Sequence, residues 1–106
     1  MSAAPARLLG VVGAGTIGSG IAQLAAQSGA RTLVFDVAEG AAERAVERAR
    51  AGIAKLAAKD RFDGDPDEAA ARLQVVGALE DLADCELVIE AIPERLELKH
   101  ELFERL

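Results

Sequence analysis

Gly13-Ala14-Gly15-Thr16-Ile17-Gly18 has the G-x-G-x-x-G spacing, and Asp36 follows about 20 residues further on. These residue types at this spacing suit a dinucleotide. Gly13 permits a tight turn out of a strand. Gly15, with no Cβ, lets a pyrophosphate approach the backbone, and Gly18 lets a helix pack closely on the strand before it. The helix that opens at this loop presents free N–H groups and partial positive charge to phosphate oxygens. A carboxylate at Asp36 accepts hydrogen bonds from the two hydroxyls of the adenosine ribose and repels a 2′-phosphate. Val37 and Ala38, which follow it, supply no arginine for such a phosphate. The expected cofactor is NAD rather than NADP.

Other candidate groups lie downstream. At about 100° per residue, Arg44, Arg48, Lys55 and Lys59 fall on one narrow stripe of a helix, an arrangement that suits phosphate groups and equally suits a solvated face. Glu90-Ala91-Ile92-Pro93-Glu94 runs off the C-terminal end of a strand, the sheet edge where open α/β proteins bind ligands. Lys99 falls within an apolar arc of about 160° formed by Leu96, Leu98, Leu102, Phe103 and Leu106 if that segment is helical. His100, the only histidine, falls on the polar side and reads as a surface residue. Cys85 has no basic neighbour in sequence to lower its pKa and reads as structural.

The elements that must position these groups are legible from periodicity. Arg7–Val12 and Arg31–Phe35 read as strands, Thr16–Ser28 as a helix with Ile17, Ile21, Leu24 and Ala25 on its apolar side, and Gly29 as its left-handed cap. Glu39–Lys59 reads as a long helix burying Ala42, Ala45, Ala49, Ile53 and Leu56. Asp65 is the expected N-cap of a short helix starting at Pro66 and reaching about Ala71. Leu73–Val76 and Glu86–Ala91 read as further strands, with room for one helical turn between them, and a last helix is expected over Glu94–Leu106. Strands alternating with helices imply an α/β, Rossmann-type, doubly wound parallel sheet of about four strands, covered on both sides. The pattern is still amphipathic at Leu106, so residues 1–106 are expected to be the N-terminal part of a larger domain.

Composition narrows the function. Of 106 residues, 51% are hydrophobic and only three are aromatic, all Phe, so the core must be aliphatic. The net charge is −6, with residues 1–53 at +1 and residues 54–106 at −7, which disfavours nucleic-acid and membrane-surface partners. One cysteine excludes an internal disulfide and a thiolate metal cluster, and no signal-peptide pattern precedes the first strand. A reducing, cytoplasmic setting follows as the expectation.

Three runs, GVVGAGTIGSGIAQLAAQSG, VFDVAEGAAERA and ELVIEAIPERLELKHELFERL, together resemble the N-terminal NAD-binding domain of the 3-hydroxyacyl-CoA dehydrogenase family from Leu8 onward. The resemblance implies that Gly13, Ala14, Gly15, Thr16, Ile17, Gly18 and Asp36 bind the cofactor. It implies that Ala91, Ile92, Glu94 and Lys99 line the nicotinamide side, and that Lys59 and Lys99 contact the acyl-CoA substrate. Two positions depart from the family pattern: Ile17 stands where methionine is common, and Gly52 where some members have a CoA-contacting serine. The histidine and glutamate that handle the 3-hydroxyl proton in this family match nothing here, so no catalytic residue is expected within this chain, nor activity from it alone. The resemblance further implies a homodimeric enzyme of fatty-acid metabolism and β-oxidation, interconverting (S)-3-hydroxyacyl-CoA and 3-oxoacyl-CoA. The alternatives are a sugar-acid or hydroxy-acid NAD dehydrogenase on the same scaffold, or a non-catalytic NAD-binding module.

Overall fold

A computed structural model of the protein describes residues 7–92 and 95–98. Its elements, in chain order, are β1 (Leu8–Val12), α1 (Thr16–Gln27), β2 (Arg31–Phe35), α2 (Ala41–Ala58), α3 (Pro66–Ala71), β3 (Leu73–Val75), a 3-10 turn (Leu79–Leu82), β4 (Leu87–Ile92) and β5 (Arg95–Leu98). The sheet order is β3-β2-β1-β4-β5. The first four strands are mutually parallel, and β5 is antiparallel to β4. The chain therefore leaves β1 toward β2 and β3 on one side and returns to β4 on the other. That reversal opens a crevice at the C-terminal ends of β1 and β4.

Local chemistry sets the boundaries. Gly29 at φ +104° ends α1 in the left-handed region. The Asp65 side chain accepts from the Asp67 N–H at 2.9 Å, with Pro66 as the first residue of α3. Two arginines tie elements together: Arg72 Nη1 donates to the Ala26 carbonyl at 2.8 Å, and Arg50 Nη2 donates to the Leu73 carbonyl at 2.9 Å.

The core has two parts. On one face of the sheet Val11, Val34 and Leu73 meet Ala22, Ala26, Ala42, Ala45, Ala49 and Ile53 from α1 and α2. On the other, Leu33 and Val88 pack against Leu82 of the 3-10 turn, with Leu8, Val12, Phe35 and Cys85 half-buried around them. Cover is thus heavy on one face and thin on the other among the described residues, where the sequence implied helices on both.

Two further expectations change. The buried face of α1 is Gly18, Ser19, Ala22, Ala25 and Ala26, while Ile17 and Leu24 are 52% and 67% exposed. Small residues win that face because only they let α1 approach β1 and α2 closely. The second change concerns the last helix. Residues 95–98 form a strand, with Ala91 opposite Leu96 and Ile92 opposite Arg95. Arg-Leu-Glu-Leu also alternates with period two, and pairing gives the outer edge of β4 a partner for its N–H and C=O groups. Positions 99–106 of the expected helix lie outside the described residues.

Ile53 is 1% exposed and is one of the largest side chains in an alanine-lined core. Ile53→Ala should therefore lower folding stability by about 2–5 kcal/mol, read as a drop in the urea midpoint of the intact gene product.

Candidate functional site

The loop between β1 and α1 is built by contacts that exclude side chains. Gly13 has φ +99°, and a Cβ there would stand 2.1 Å from the Ala91 carbonyl oxygen of β4. A Cβ on Gly18 would stand 1.9 Å from the Gly13 carbonyl oxygen. Gly15 differs: its φ is −79°, and a Cβ built on it meets nothing within 4 Å. The first two glycines are therefore required by the protein's own packing. The third guards open space in front of the α1 N-terminus, which is where a phosphate would sit.

Asp36 follows the last residue of β2 and reaches back across this loop. Its Oδ2 accepts from the Ala14 N–H at 2.7 Å, and its Oδ1 accepts from the Ala38 N–H at 2.7 Å. These are short, charge-assisted bonds. They lace the glycine turn to the loop after β2 and leave each oxygen with further acceptor capacity for a ribose hydroxyl. The anchoring role was invisible in the sequence, because it depends on the two loops meeting in space.

A cleft of about 730 Å³ lies over these groups, lined by residues 13–18, Asp36, Ala41, Arg44, Arg48 and Ala91. That size is within the range for a small-molecule site. The cleft brings together the glycine loop, Asp36 and Ala91 from three different strand ends. Ile17 projects its half-exposed side chain at the cleft, and Val37 is 91% exposed just past Asp36.

The basic stripe divides. Arg44 and Arg48, on the first turns of α2, line the cleft. Lys59 caps the far end of α2, about 22 Å along the axis from Arg44 at 1.5 Å per residue, and lies outside the cleft. Angular position on the helix groups all four cations together. The signal that separates them is position: a helix following a parallel strand begins at the sheet's ligand-binding edge and ends away from it.

Gly52 faces α1, where a Cβ would meet the Gln23 amide at 2.1 Å. A serine here would require only that the flexible end of Gln23 swing aside, so the contact does not itself dictate glycine. The Ile92 backbone pairs with β5, while Glu94 and Lys99 lie outside the described residues.

Cys85 lies by the thinly covered face, against Leu82 and Val88. Burial first, and then the Asp84 carboxylate, push its thiol up to about 11. Its alkylation at pH 8 should be far slower in the folded protein than in urea. The raised pKa also contributes stability that is present below about pH 9 and lost as pH rises through about 11.

The glycines give a sharper test. Gly15→Ala should leave the melting temperature close to that of the parent and weaken dinucleotide binding more than about tenfold. Gly18→Ala should cost at least about 1–3 kcal/mol of stability, since backbone must move. Thermal melts and NADH fluorescence titrations on the intact gene product read both.

Comparison with known proteins gives a consistent set. A family model described as 3-hydroxyacyl-CoA dehydrogenase, NAD binding domain, matches residues 8–106. A probable 3-hydroxybutyryl-CoA dehydrogenase of Deinococcus radiodurans is 39% identical over 97 residues, covering 92% of this chain and 35% of that protein. The 3-hydroxyadipyl-CoA dehydrogenase of Escherichia coli is 37% identical over 97 residues, covering 91% of this chain and 20% of its own length. Among solved structures, (S)-3-hydroxybutyryl-CoA dehydrogenase from Ralstonia eutropha superposes with a TM-score of 0.76 at 33% identity, covering 86% of this chain and 32% of that one. The chain thus spans about a third or less of the length of these relatives.

Proposed function

The chain belongs to the 3-hydroxyacyl-CoA dehydrogenase family through its NAD-binding domain, and from that premise we propose that it is the dinucleotide-holding part of an enzyme that interconverts (S)-3-hydroxyacyl-CoA and 3-oxoacyl-CoA. The observation that carries the reading is the pairing of an open Gly15 with an anchored Asp36 across one cleft. The names of these relatives, 3-hydroxybutyryl-CoA and 3-hydroxyadipyl-CoA dehydrogenases, supply the substrate class.

When bound, NAD supplies the hydride acceptor. The residues of this chain bind and orient it. Gly13–Gly18 hold the pyrophosphate against the α1 N-terminus. Asp36, already fixed by two backbone N–H groups, receives the ribose hydroxyls and disfavours a 2′-phosphate. Ala91, at the end of β4, lies on the nicotinamide side, and Ile92, Glu94 and Lys99 continue that side in sequence. Lys59, with Lys99, meets the coenzyme A portion of the substrate. The proton-transfer histidine and glutamate belong to the part of the family architecture that follows these 106 residues, together with the rest of the sheet and a helical dimerisation domain.

The enzyme on this reading is a cytoplasmic homodimer of fatty-acid metabolism and β-oxidation. Its support is the family resemblance. Among the described residues no helix is long and apolar enough to cross a membrane.

The test is a steady-state assay of the intact gene product on a short-chain 3-oxoacyl-CoA with NADH and NADPH. NADH should be preferred, and Asp36→Asn should narrow the preference by about tenfold, because it removes the charge that opposes a 2′-phosphate. Turnover of free hydroxy acids but not of the CoA thioester would overturn the substrate class. A preference for NADPH would overturn the role given to Asp36.

A further inference from the structure

Arg48 is not needed to explain the glycine loop or Asp36, yet the structure gives it a defined place. Its Nη1 donates to Ser19 Oγ at 3.3 Å, across the gap between α2 and α1. Ser19 is 2% exposed, and its hydroxyl is held in turn against the carbonyls of Gly15 at 2.9 Å and Thr16 at 3.1 Å. The serine therefore spends its proton on the first turn of α1 and turns a lone pair to the arginine. Among the described residues no carboxylate forms an ion pair with Arg48, and the residue lines the same cleft as Gly15.

We propose that Arg48, tethered by Ser19, is a phosphate-binding residue for the pyrophosphate of the dinucleotide, adding a fixed cation to the N–H groups of the α1 N-terminus. This rests on the dinucleotide reading of the cleft and goes beyond it by adding a side chain from a second helix. The chemistry favours a phosphate. Arginine offers five donors in a rigid fork, of which Ser19 takes one, and the fork matches phosphate oxygens two at a time. The tether limits the rotamer entropy lost when the ligand arrives. Its location favours the pyrophosphate over a 2′-phosphate, because Ser19 belongs to the turn that opens at Gly15. Arg44 makes the natural control. It lies one turn earlier on α2 and lines the same cleft, with its guanidinium beside Gly40 in the loop after Asp36.

The test is a set of competition titrations on the intact gene product, using NADH fluorescence with ADP-ribose, NADP and adenosine as competitors. Arg48→Ala should weaken NADH, ADP-ribose and NADP alike, by about tenfold or more, and leave adenosine within about twofold. Arg48→Lys should recover part of the loss. Ser19→Ala, which keeps the charge and frees the guanidinium, should fall between the parent and Arg48→Ala. Arg44→Ala should weaken ADP-ribose less than Arg48→Ala does.

Equal ADP-ribose affinity in the parent and Arg48→Ala would overturn the assignment. So would a loss confined to NADP, which would place a 2′-phosphate at Arg48, or an equal loss in Arg44→Ala, which would mean diffuse attraction only. If the parent itself binds neither NADH nor ADP-ribose, the dinucleotide reading fails first, so the two failures are distinct.

Discussion

The structure depends on one close approach, that of the Gly13 turn to the end of β4. The Ala91 carbonyl oxygen occupies the place where a side chain on residue 13 would begin, and the Gly13 carbonyl in turn occupies that place for residue 18. These contacts pin the start of α1 against the exit of β1. Pinned there, α1 has little clearance, and it offers Gly18, Ser19, Ala22, Ala25 and Ala26 to the interior. The helix beside it answers with Ala42, Ala45 and Ala49. The run of small residues where α1 and α2 meet thus fits a backbone requirement at the glycine turn. Bulk is then supplied by a few residues further out, Ile53 and Leu73 among them.

The same approach organises the electrostatics. It aims the α1 N-terminus, with its unpaired N–H groups, into the cleft. It also brings Ala14 within reach of Asp36, so that this cleft-lining carboxylate is bonded to backbone before any ligand arrives. A carboxylate already aimed and partly satisfied needs little reorganisation to receive a diol. Arg44 and Arg48 balance it with positive charge on the opposite helix. The cleft thus has a cationic part suited to phosphates and an anionic part suited to hydroxyls. This division matches the chemistry along a dinucleotide without requiring any residue to move.

Local features were legible in the sequence, and features made by distant residues were not. The Asp65 cap, Pro66 and the glycine turn are encoded within a few positions, and they stand where the spacing predicted. The face of α1 is half legible: Ala25 is buried and Ile21 packs against the core, but hydrophobic patterning rewards large side chains, whereas this interface selects small ones and leaves Ile17 and Leu24 outside. Residues 95–98 were misjudged because Arg-Leu-Glu-Leu fits both a helix turn and an edge strand, and only the open side of β4 decides between them. The anchoring of Asp36 by Ala14 spans 22 positions, and the link between Arg48 and Ser19 spans 29. No short-range pattern records either pairing.

The helix α2 carries the last consequence. Its cations share one stripe, but helical rise separates them along the axis, by about 22 Å from Arg44 to Lys59. No single phosphate group reaches both ends. If the first two turns belong to the dinucleotide, the final turn is free to meet a second anionic ligand arriving from elsewhere, and coenzyme A, with phosphates of its own, has the matching charge. On the proposed reading, α2 would set the separation between the cofactor and substrate anchors. Its rigidity is set by the buried alanines and Ile53 on the opposite face. Shortening or kinking α2 would disturb the relation between the two ligands even where each anchor survived. On that reading, the core on that face and the spacing of the two anchors are a single physical constraint.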